Sequence, residues 1–273
     1  MTPISLTSAD DPRIAAFRDV RERDLTGREG LFIAEGEVVL NVLASPWSRC
    51  RARAVLLADK RLAKLEPVLA RLEPDVPIYI APQEVLDGIA GFHLHRGILA
   101  LGDKPGPLDP DAFLATRPAR SVLVGAVGIG NADNMGGIFR NAAALGACGV
   151  MIDPGCCDPF YRKAIRVSVG AVLRTPLMAG LSAPTMVERA EAHGYVPLAL
   201  TPGDGPELAD LDIPLRALVL LGAEGPGLPD EVLQRARPVR IPMASGFDSL
   251  NVAATSAIVL HHLTRSGGES RTC

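Results

Sequence analysis

The feature that most constrains the fold of this 273-residue chain is an alternation of short apolar runs with helical segments in its C-terminal half. Strands are predicted at SVLVGAV, GVMID, VPLALT, ALVLLG and RPVRIPM, and helices at Gly136–Leu145, Pro184–His193, Pro229–Arg235 and Asn251–Arg265. Short apolar strands that alternate with helices are typical of a parallel sheet covered on both faces. The sequence therefore predicts an α/β fold whose ligands bind beyond the carboxyl ends of the strands.

The N-terminal part predicts a second, smaller α/β unit. A helix is expected over Pro12–Arg28, followed by apolar runs such as GLFIAEG, ARAVLLAD, VPIYIA and RGILALG that alternate with helical stretches. Four prolines and two glycines then fall between Leu101 and Ser121, as in a linker. We predict an N-terminal domain at residues 1–105, a linker with one short helix at 106–118, and a larger domain at 119–273.

The composition excludes several classes of function. A formal net charge of −3 argues against a protein that coats nucleic acid, because such binding depends on neutralising phosphates. Five cysteines without a metal-ligand spacing predict reduced thiols, a cytoplasmic location and no metal site. The start, MTPISLTSADDPR, does not resemble a signal peptide, and no run reaches the ~18 apolar residues of a membrane span.

Polar and glycine-rich segments follow three of the predicted strands. They are NADNMGGIFRNA at residues 131–142, LGAEGPGL at 221–228, and IPM at 241–243 followed by SLNV at 249–252. Each has a plain structural interpretation: Asn134 and Ser249 suit helix caps, Glu224 suits a carboxylate that holds a loop, and Arg140 suits a surface side chain. The segments lack the glycine patterns of nucleotide-phosphate loops.

Taken in order, the three segments match N-x-G-x-x-x-R, L-G-x-E-G-x-G-L, and I-P-M with S-L-N-V. This series resembles the SpoU/TrmH family of RNA 2′-O-ribose methyltransferases, within the knotted SPOUT superfamily, over about residues 120–265. The N-terminal unit, with DPRI and FIAEG, resembles the substrate-binding domain often attached in that family. One departure is that Asn131-Ala132 stands where the family usually has Asp-Pro.

The resemblance implies a deep trefoil knot, S-adenosylmethionine as cofactor, a homodimer, and RNA as substrate, with ribosomal RNA favoured over tRNA. It implies a catalytic group, a cofactor group and an RNA-binding group of side chains. The catalytic group consists of Arg140, Asn134, Glu224, Ser249 and Asn251. The cofactor group consists of Thr201, Gly222, Ile241 and Leu250. The RNA-binding group consists of Arg162, Lys163 and Arg166. For the last group a solvated helix face is the alternative.

Three other functions stay open at this point. The chain could be a SPOUT methyltransferase that acts on a base, although Arg140 together with Ser249-Leu250-Asn251 favours ribose. It could be an RNA-binding module without catalysis, which the intact set of catalytic residues disfavours. An NAD-type dehydrogenase would need the glycine fingerprint that the sequence lacks.

Overall fold

The computed structural model describes residues 2–18, 22–90, 96–203, 205–245, 247 and 249–265. The chain forms two compact units: Met1–Pro105 with Asp158–Arg174, and Gly106–Cys157 with Thr175–Cys273. The first segment of the N-terminal unit ends at Pro105, and the division into an N-terminal domain, a linker at 106–118 and a larger domain stays a prediction. The segment Asp158–Arg174, which falls inside the predicted C-terminal domain, packs with the N-terminal unit instead.

The N-terminal unit contains a five-stranded mixed sheet. Its strands are β1 Ile4–Ser5, β2 Leu31–Glu35, β3 Arg51–Ala58, β4 Ile78–Ala81 and β5 Ile98–Asp103, in the order β1-β4-β3-β5-β2. β5 runs antiparallel to both β3 and β2. Its helices are α1 Glu22–Gly27, α2 Glu37–Leu43, α3 Leu62–Leu69, α4 Gln83–Ala90 and, from the later segment, α7 Arg162–Val167.

The single helix predicted over Pro12–Arg28 is wrong. The structure has a 3₁₀ helix at Pro12–Phe17. Asp11 caps its N-terminus, because the Asp11 carboxylate accepts a hydrogen bond from the Arg13 N–H. Arg18 then adopts an extended backbone, with φ −105° and ψ 142°, and this ends the helix before α1.

The C-terminal unit contains a six-stranded sheet in which every strand pairs in parallel. Its strands are β6 Ser121–Ala126, β7 Gly149–Ile152, β8 Leu177–Ala179, β9 Val196–Leu200, β10 Arg216–Leu221 and β11 Arg237–Val239, in the order β11-β9-β10-β6-β7-β8. Its helices are α5 Pro110–Ala115, α6 Ala132–Ala144, α8 Ala183–Ala192, α9 Asp230–Leu233 and α10 Val252–Arg265. The five predicted strands are present. β8 was not predicted, and β11 ends earlier than expected, because Arg240 makes only an isolated bridge to Glu207.

The order of the strands places a crevice between β6 and β10. After β6 the chain leads to β7 on one side, and after β10 it leads to β11 on the other. Connections that diverge in this way leave a gap at the carboxyl ends of the two strands, where ligands of open α/β sheets bind. The segments that begin at Val127 and Gly222 meet there.

The cysteines differ from the prediction of five reduced thiols. Cys148, which is 1% exposed, is disulfide-bonded. Cysteine counts and spacings alone could not show which residues the fold brings together. Burial raises the pKa of the Cys156 thiol to about 12. Within the described ranges, no helix combines the length and the apolar character needed to cross a membrane.

Candidate active site

Helix α6 begins earlier than the sequence predicted. The Asn131 side chain accepts a hydrogen bond from the Asp133 N–H at 2.7 Å and caps the helix, which therefore starts at Ala132. The interpretation of Asn134 as the cap is wrong, because Asn134 lies within the helix. Its side chain, on a residue only 6% exposed, is available for other partners.

A chain of side-chain hydrogen bonds links the start of α10 to a carboxylate after β10. Asn251 Oδ1 accepts from the backbone N–H groups of Ala253 and Ala254, at 3.0 and 3.2 Å. Asn251 Nδ2 donates to Asn134 Oδ1 at 2.8 Å, and Asn134 Nδ2 donates to Glu224 Oε1 at 2.7 Å. Each amide accepts with its oxygen and donates with its nitrogen, so the chain has one direction and ends on the carboxylate.

This chain corrects two of the structural interpretations. Asn251, and not Ser249, caps α10. The carboxylate of Glu224 is held by the side chain of Asn134, and not by backbone N–H groups of its own loop. One oxygen of Glu224 is fixed by this bond, and the exposed position of the residue leaves the other oxygen accessible.

Close packing of α6 against α10 brings Asn251 within reach of Asn134. A Cβ atom added at Gly137 would lie 2.6 Å from Ala253 Cβ, so only glycine allows this approach. One turn further along α6, Asn141 Nδ2 donates to the Ala253 carbonyl at 2.7 Å and to Ser256 Oγ at 2.9 Å. Sequence reasoning missed both roles, although Gly137 and Asn141 lie in the quoted motif.

A cavity of about 480 Å³ opens at the carboxyl ends of β9 and β10. It is lined by all four residues predicted to bind cofactor, Thr201, Gly222, Ile241 and Leu250, and by two of those predicted to be catalytic, Glu224 and Ser249. Further lining residues that were not predicted include Leu200, Met243, Val252 and Thr255. Most of its walls are aliphatic, with polar groups at a few points, as is usual for small-molecule sites.

The loop that carries Glu224 folds back on itself. The Gly227 N–H donates to the Ala223 carbonyl at 3.0 Å, and Gly225 and Gly227 have φ values of +90° and +73°. A Cβ at Gly222 would lie 2.4 Å from the Gly227 carbonyl carbon. Glycine is therefore required at position 222 by the backbone of the loop itself.

Arg140 lies apart from this cavity within a single chain. It is exposed on α6, it does not line the cavity, and it forms no ion pair with the described residues. Asn134 and Arg140 are six residues apart, which places them about a third of a turn from each other around the helix.

The three predicted RNA contacts lie in the N-terminal unit and have different surroundings. Arg162 Nε donates to Glu35 Oε2 at 2.9 Å, and the two side chains are only 20% and 9% exposed. Arg166 lies 3.9 Å from the same carboxylate, with 46% of its side chain exposed, and Lys163 is also exposed. Arg162 is therefore part of a mostly buried ion pair, whereas the other two side chains face solvent.

The described part of the chain contains no group of three or more His, Cys, Asp or Glu residues that could hold a metal ion. The C-terminal unit thus combines an all-parallel sheet, a cavity at the carboxyl ends of β9 and β10, and an oriented carboxylate that lines this cavity. These features define an α/β protein whose ligand site is built from loops at the strand ends.

The family model described as "SpoU rRNA Methylase family" matches residues 121–261, more than half of the chain. The chain belongs to this SpoU methylase family.

Proteins similar over nearly the full length support this assignment. A relative from Mycobacterium tuberculosis, named an uncharacterized tRNA/rRNA methyltransferase, is 39% identical, and the match covers 94% of this chain and 90% of the relative. The SpoU methyltransferase AviRb from Streptomyces viridochromogenes, solved in complex with the cofactor AdoMet, superimposes with a TM-score of 0.79 at 23% identity, covering 93% and 97% of the two chains. A solved RNA 2′-O ribose methyltransferase gives a TM-score of 0.78 at 24% identity, covering 96% and 98%. These two structural likenesses support the fold.

Proposed function

We propose that this chain is an S-adenosylmethionine-dependent RNA methyltransferase that transfers a methyl group to a ribose 2′-hydroxyl, with ribosomal RNA as the favoured substrate. The observation that carries the proposal is the aliphatic cavity beside an oriented carboxylate, Glu224, at the strand ends. Membership of the SpoU methylase family and the names of similar proteins support it.

The residues around the cavity fit this cofactor. The volume of about 480 Å³ lies within the range of small-molecule sites. Ile241 and Leu250 offer flat apolar contacts suited to an adenine, and the backbone near Gly222 offers polar groups. When bound, the cofactor supplies an electrophilic methyl group on a positively charged sulfur.

Glu224 and its partners hold one acceptor in place. Because Asn134 fixes Oε1, the other carboxylate oxygen has a defined position at the rim, where it can accept a hydrogen bond from a hydroxyl group. The Ser249 hydroxyl lies on the same rim. We assign Asn134 and Asn251 to positioning this carboxylate.

Arg140 is proposed to hold the ribose oxygen or the adjacent phosphate while remaining cationic. A guanidinium has a pKa above ~12, so it stabilises negative charge that develops on the 2′-oxygen without having to remove a proton itself. Because Arg140 is exposed and does not line the cavity of its own chain, we propose that it acts at the cavity of a second copy. Exposed apolar residues on α10, Ala254 and Ile258, are spaced four apart and suit a dimer contact. The homodimer and the trefoil knot stay predictions from the resemblance, and the cytoplasmic location stays a prediction from the cysteine content.

The function is tested with methyl-labelled S-adenosylmethionine and, separately, unmodified tRNA, small-subunit rRNA and large-subunit rRNA. Label recovered in an alkali-resistant dinucleotide supports ribose methylation and identifies the class of RNA. Label in an alkali-labile linkage would assign the reaction to a base. Cofactor binding without labelling of any of these RNAs would contradict the proposal and favour a non-catalytic RNA-binding module.

A mixture of inactive variants tests whether Arg140 acts in a second copy. Arg140→Ala and Glu224→Gln subunits are mixed after mild dissociation and reassociation. If the arginine serves the partner's cavity, each mixed dimer keeps one complete site, and the mixture regains about a quarter of the wild-type activity. If both residues serve the same chain, the mixture stays inactive, and this would refute the proposed dimeric site.

A further inference from the structure

The single tryptophan of the chain lies exposed on a hydrogen-bonded turn of the N-terminal unit. Trp47 is 73% exposed. The turn is closed by a hydrogen bond from the Ser48 N–H to the Ser45 carbonyl at 3.1 Å, with Pro46 and Trp47 at its corners. Proline favours this position because its φ is already close to that of the turn. The hydrogen-bonded turn therefore presents the indole to solvent.

Further hydrogen bonds fix the residues that follow Trp47. Ser48 Oγ donates to the Cys50 carbonyl at 3.0 Å and accepts from the Cys50 N–H at 3.2 Å. The Arg49 N–H donates to the Leu173 carbonyl at 2.8 Å, which places the peptide between Leu173 and Arg174 directly beside Arg49. Two arginines that are distant in sequence are thus backbone neighbours next to the tryptophan.

The charges of these two arginines are not offset by carboxylates. Arg49 and Arg174 are both exposed, and neither forms an ion pair with a carboxylate of the described residues. Arg51, two residues further on, contrasts with them because it contacts both Glu73 and Asp75 at 2.7 Å. An exposed indole and two exposed arginines, brought together by their backbones and without ion pairs among the described residues, therefore give a local excess of positive charge in a chain whose net charge is −3.

We propose that Trp47, Arg49 and Arg174, the Trp47 surface, bind an unpaired nucleotide of the RNA substrate, with the base stacked on the indole and its phosphates held by the arginines. Sequence-specific recognition of RNA uses unpaired bases stacked on aromatic rings, and arginines supply the phosphate contacts. A duplex would not offer this interaction, since its bases are already stacked. This inference rests on the proposed function for the choice of RNA as the ligand. It adds that the bound nucleotide is unpaired and that the Trp47 surface binds it.

The tryptophan is its own probe, because no other residue contributes indole fluorescence. The full chain is titrated with a single-stranded oligoadenylate, with the same strand in a duplex, and with an abasic ribose-phosphate strand. We expect the single strand to quench the emission, and the duplex and the abasic strand to leave it nearly unchanged. Trp47→Ala should weaken binding of the single strand about 5- to 100-fold, and Trp47→Phe should retain most of the affinity.

The salt dependence tests the arginines. Arg49→Gln should lower the slope of log affinity against log salt by about 0.7, the value for one lost phosphate contact to a single strand. Arg51→Gln is the matched control and should leave the slope unchanged, because the charge of Arg51 is offset by Glu73 and Asp75. Leu215→Ala, which removes an apolar side chain 62% exposed in the other unit, controls for the loss of surface hydrophobicity.

The outcomes separate this proposal from the proposed function. Methyl transfer to RNA combined with unchanged Trp47 emission and an unaltered affinity of Trp47→Ala would overturn the Trp47 surface alone. Quenching by the single strand without methyl transfer to any tested RNA would support the surface and refute the methyltransferase activity. Emission that shifts with protein concentration in the absence of RNA would show that a second copy covers the tryptophan, and would also overturn the proposal.

Discussion

The two sheets of this molecule are built from similar alternating sequences but organise their polar residues differently. In the C-terminal sheet every strand pairs in parallel, so the loops after β6 and β10 meet at one edge and place Asn134 beside Glu224, 90 residues away. In the N-terminal sheet β5 runs antiparallel to its neighbours β2 and β3, so the carboxyl ends of the strands lie at opposite ends of the sheet. There the charged residues pair across the surface, as Arg53 does with Asp103 at 2.8 Å. Strand direction therefore decides whether polar residues at strand ends form one site.

The largest expected effect comes from cutting the amide chain at the parallel edge. Asn134→Ala leaves the Glu224 carboxylate without its partner, and a misplaced group of this kind costs about 10²-fold in kcat. Asn141→Ala is the matched control, because Asn141 holds the same two helices together without touching Glu224. Steady-state kinetics should show a large loss of kcat in the first variant only. Equal losses in both would mean that the amide chain acts through helix packing and not through the carboxylate.

Helix packing behind this site can be tested separately. Gly137→Ala forces its Cβ against Ala253 and should destabilise the fold by about 1–3 kcal/mol. Ala253→Gly removes the opposing atom, so the double variant should recover most of the loss in the free energy of unfolding measured in urea. Additive losses in the double variant would show that the two positions do not contact each other in solution. Gly106→Ala, where an added Cβ meets nothing within 4 Å, serves as a neutral control.

A substitution in the mixed sheet should affect stability and leave the cavity unchanged. Glu35→Gln removes the charge that Arg162 faces in a mostly buried pair, with an expected cost of about 1–3 kcal/mol. The affinity for S-adenosylmethionine, measured by calorimetry, should equal that of the wild type, because the cavity is built from the other unit. A large change in cofactor affinity would show that the two units are energetically coupled.

The smallest expected effect is a pH dependence at the surface of the N-terminal unit. Hydrogen bonds from the Arg13 side chain and backbone lower the pKa of Asp11 to about 2. A lowered pKa stabilises the folded state at pH values above the ordinary pKa of the group, 3.8, and this contribution disappears as the pH falls towards 2. Asp11→Asn and Arg13→Gln should both flatten the acid limb of the stability curve. An unchanged acid limb in Arg13→Gln would argue against Arg13 as the cause.

Sequence patterns predicted the structure best where a continuous segment forms one strand or supplies several residues of the same site. The five apolar runs predicted strands of the parallel sheet, and the second and third motifs contain residues that line one cavity, whereas the first motif reaches it only through the bond from Asn134 to Glu224. The prediction failed where the outcome depends on short or distant contacts. β8 has only three residues, the cap of α6 is Asn131 although Asn134 is chemically equivalent, and Arg162 pairs with a glutamate 127 residues away. The approach of Gly137 to Ala253 depends on the distance between two helices, which periodicity does not specify.

The position of Asn251 has a consequence for the order of events during synthesis. Asn251 holds Asn134, which in turn orients Glu224. Asn251 lies 117 positions after Asn134 in the chain and directly precedes α10. A nascent chain that has not yet released residue 251 can already contain every strand of both sheets, but its carboxylate has no fixed orientation. The step that finishes the site is thus the docking of a late helix onto an early one, a long-range closure that forms slowly compared with local structure.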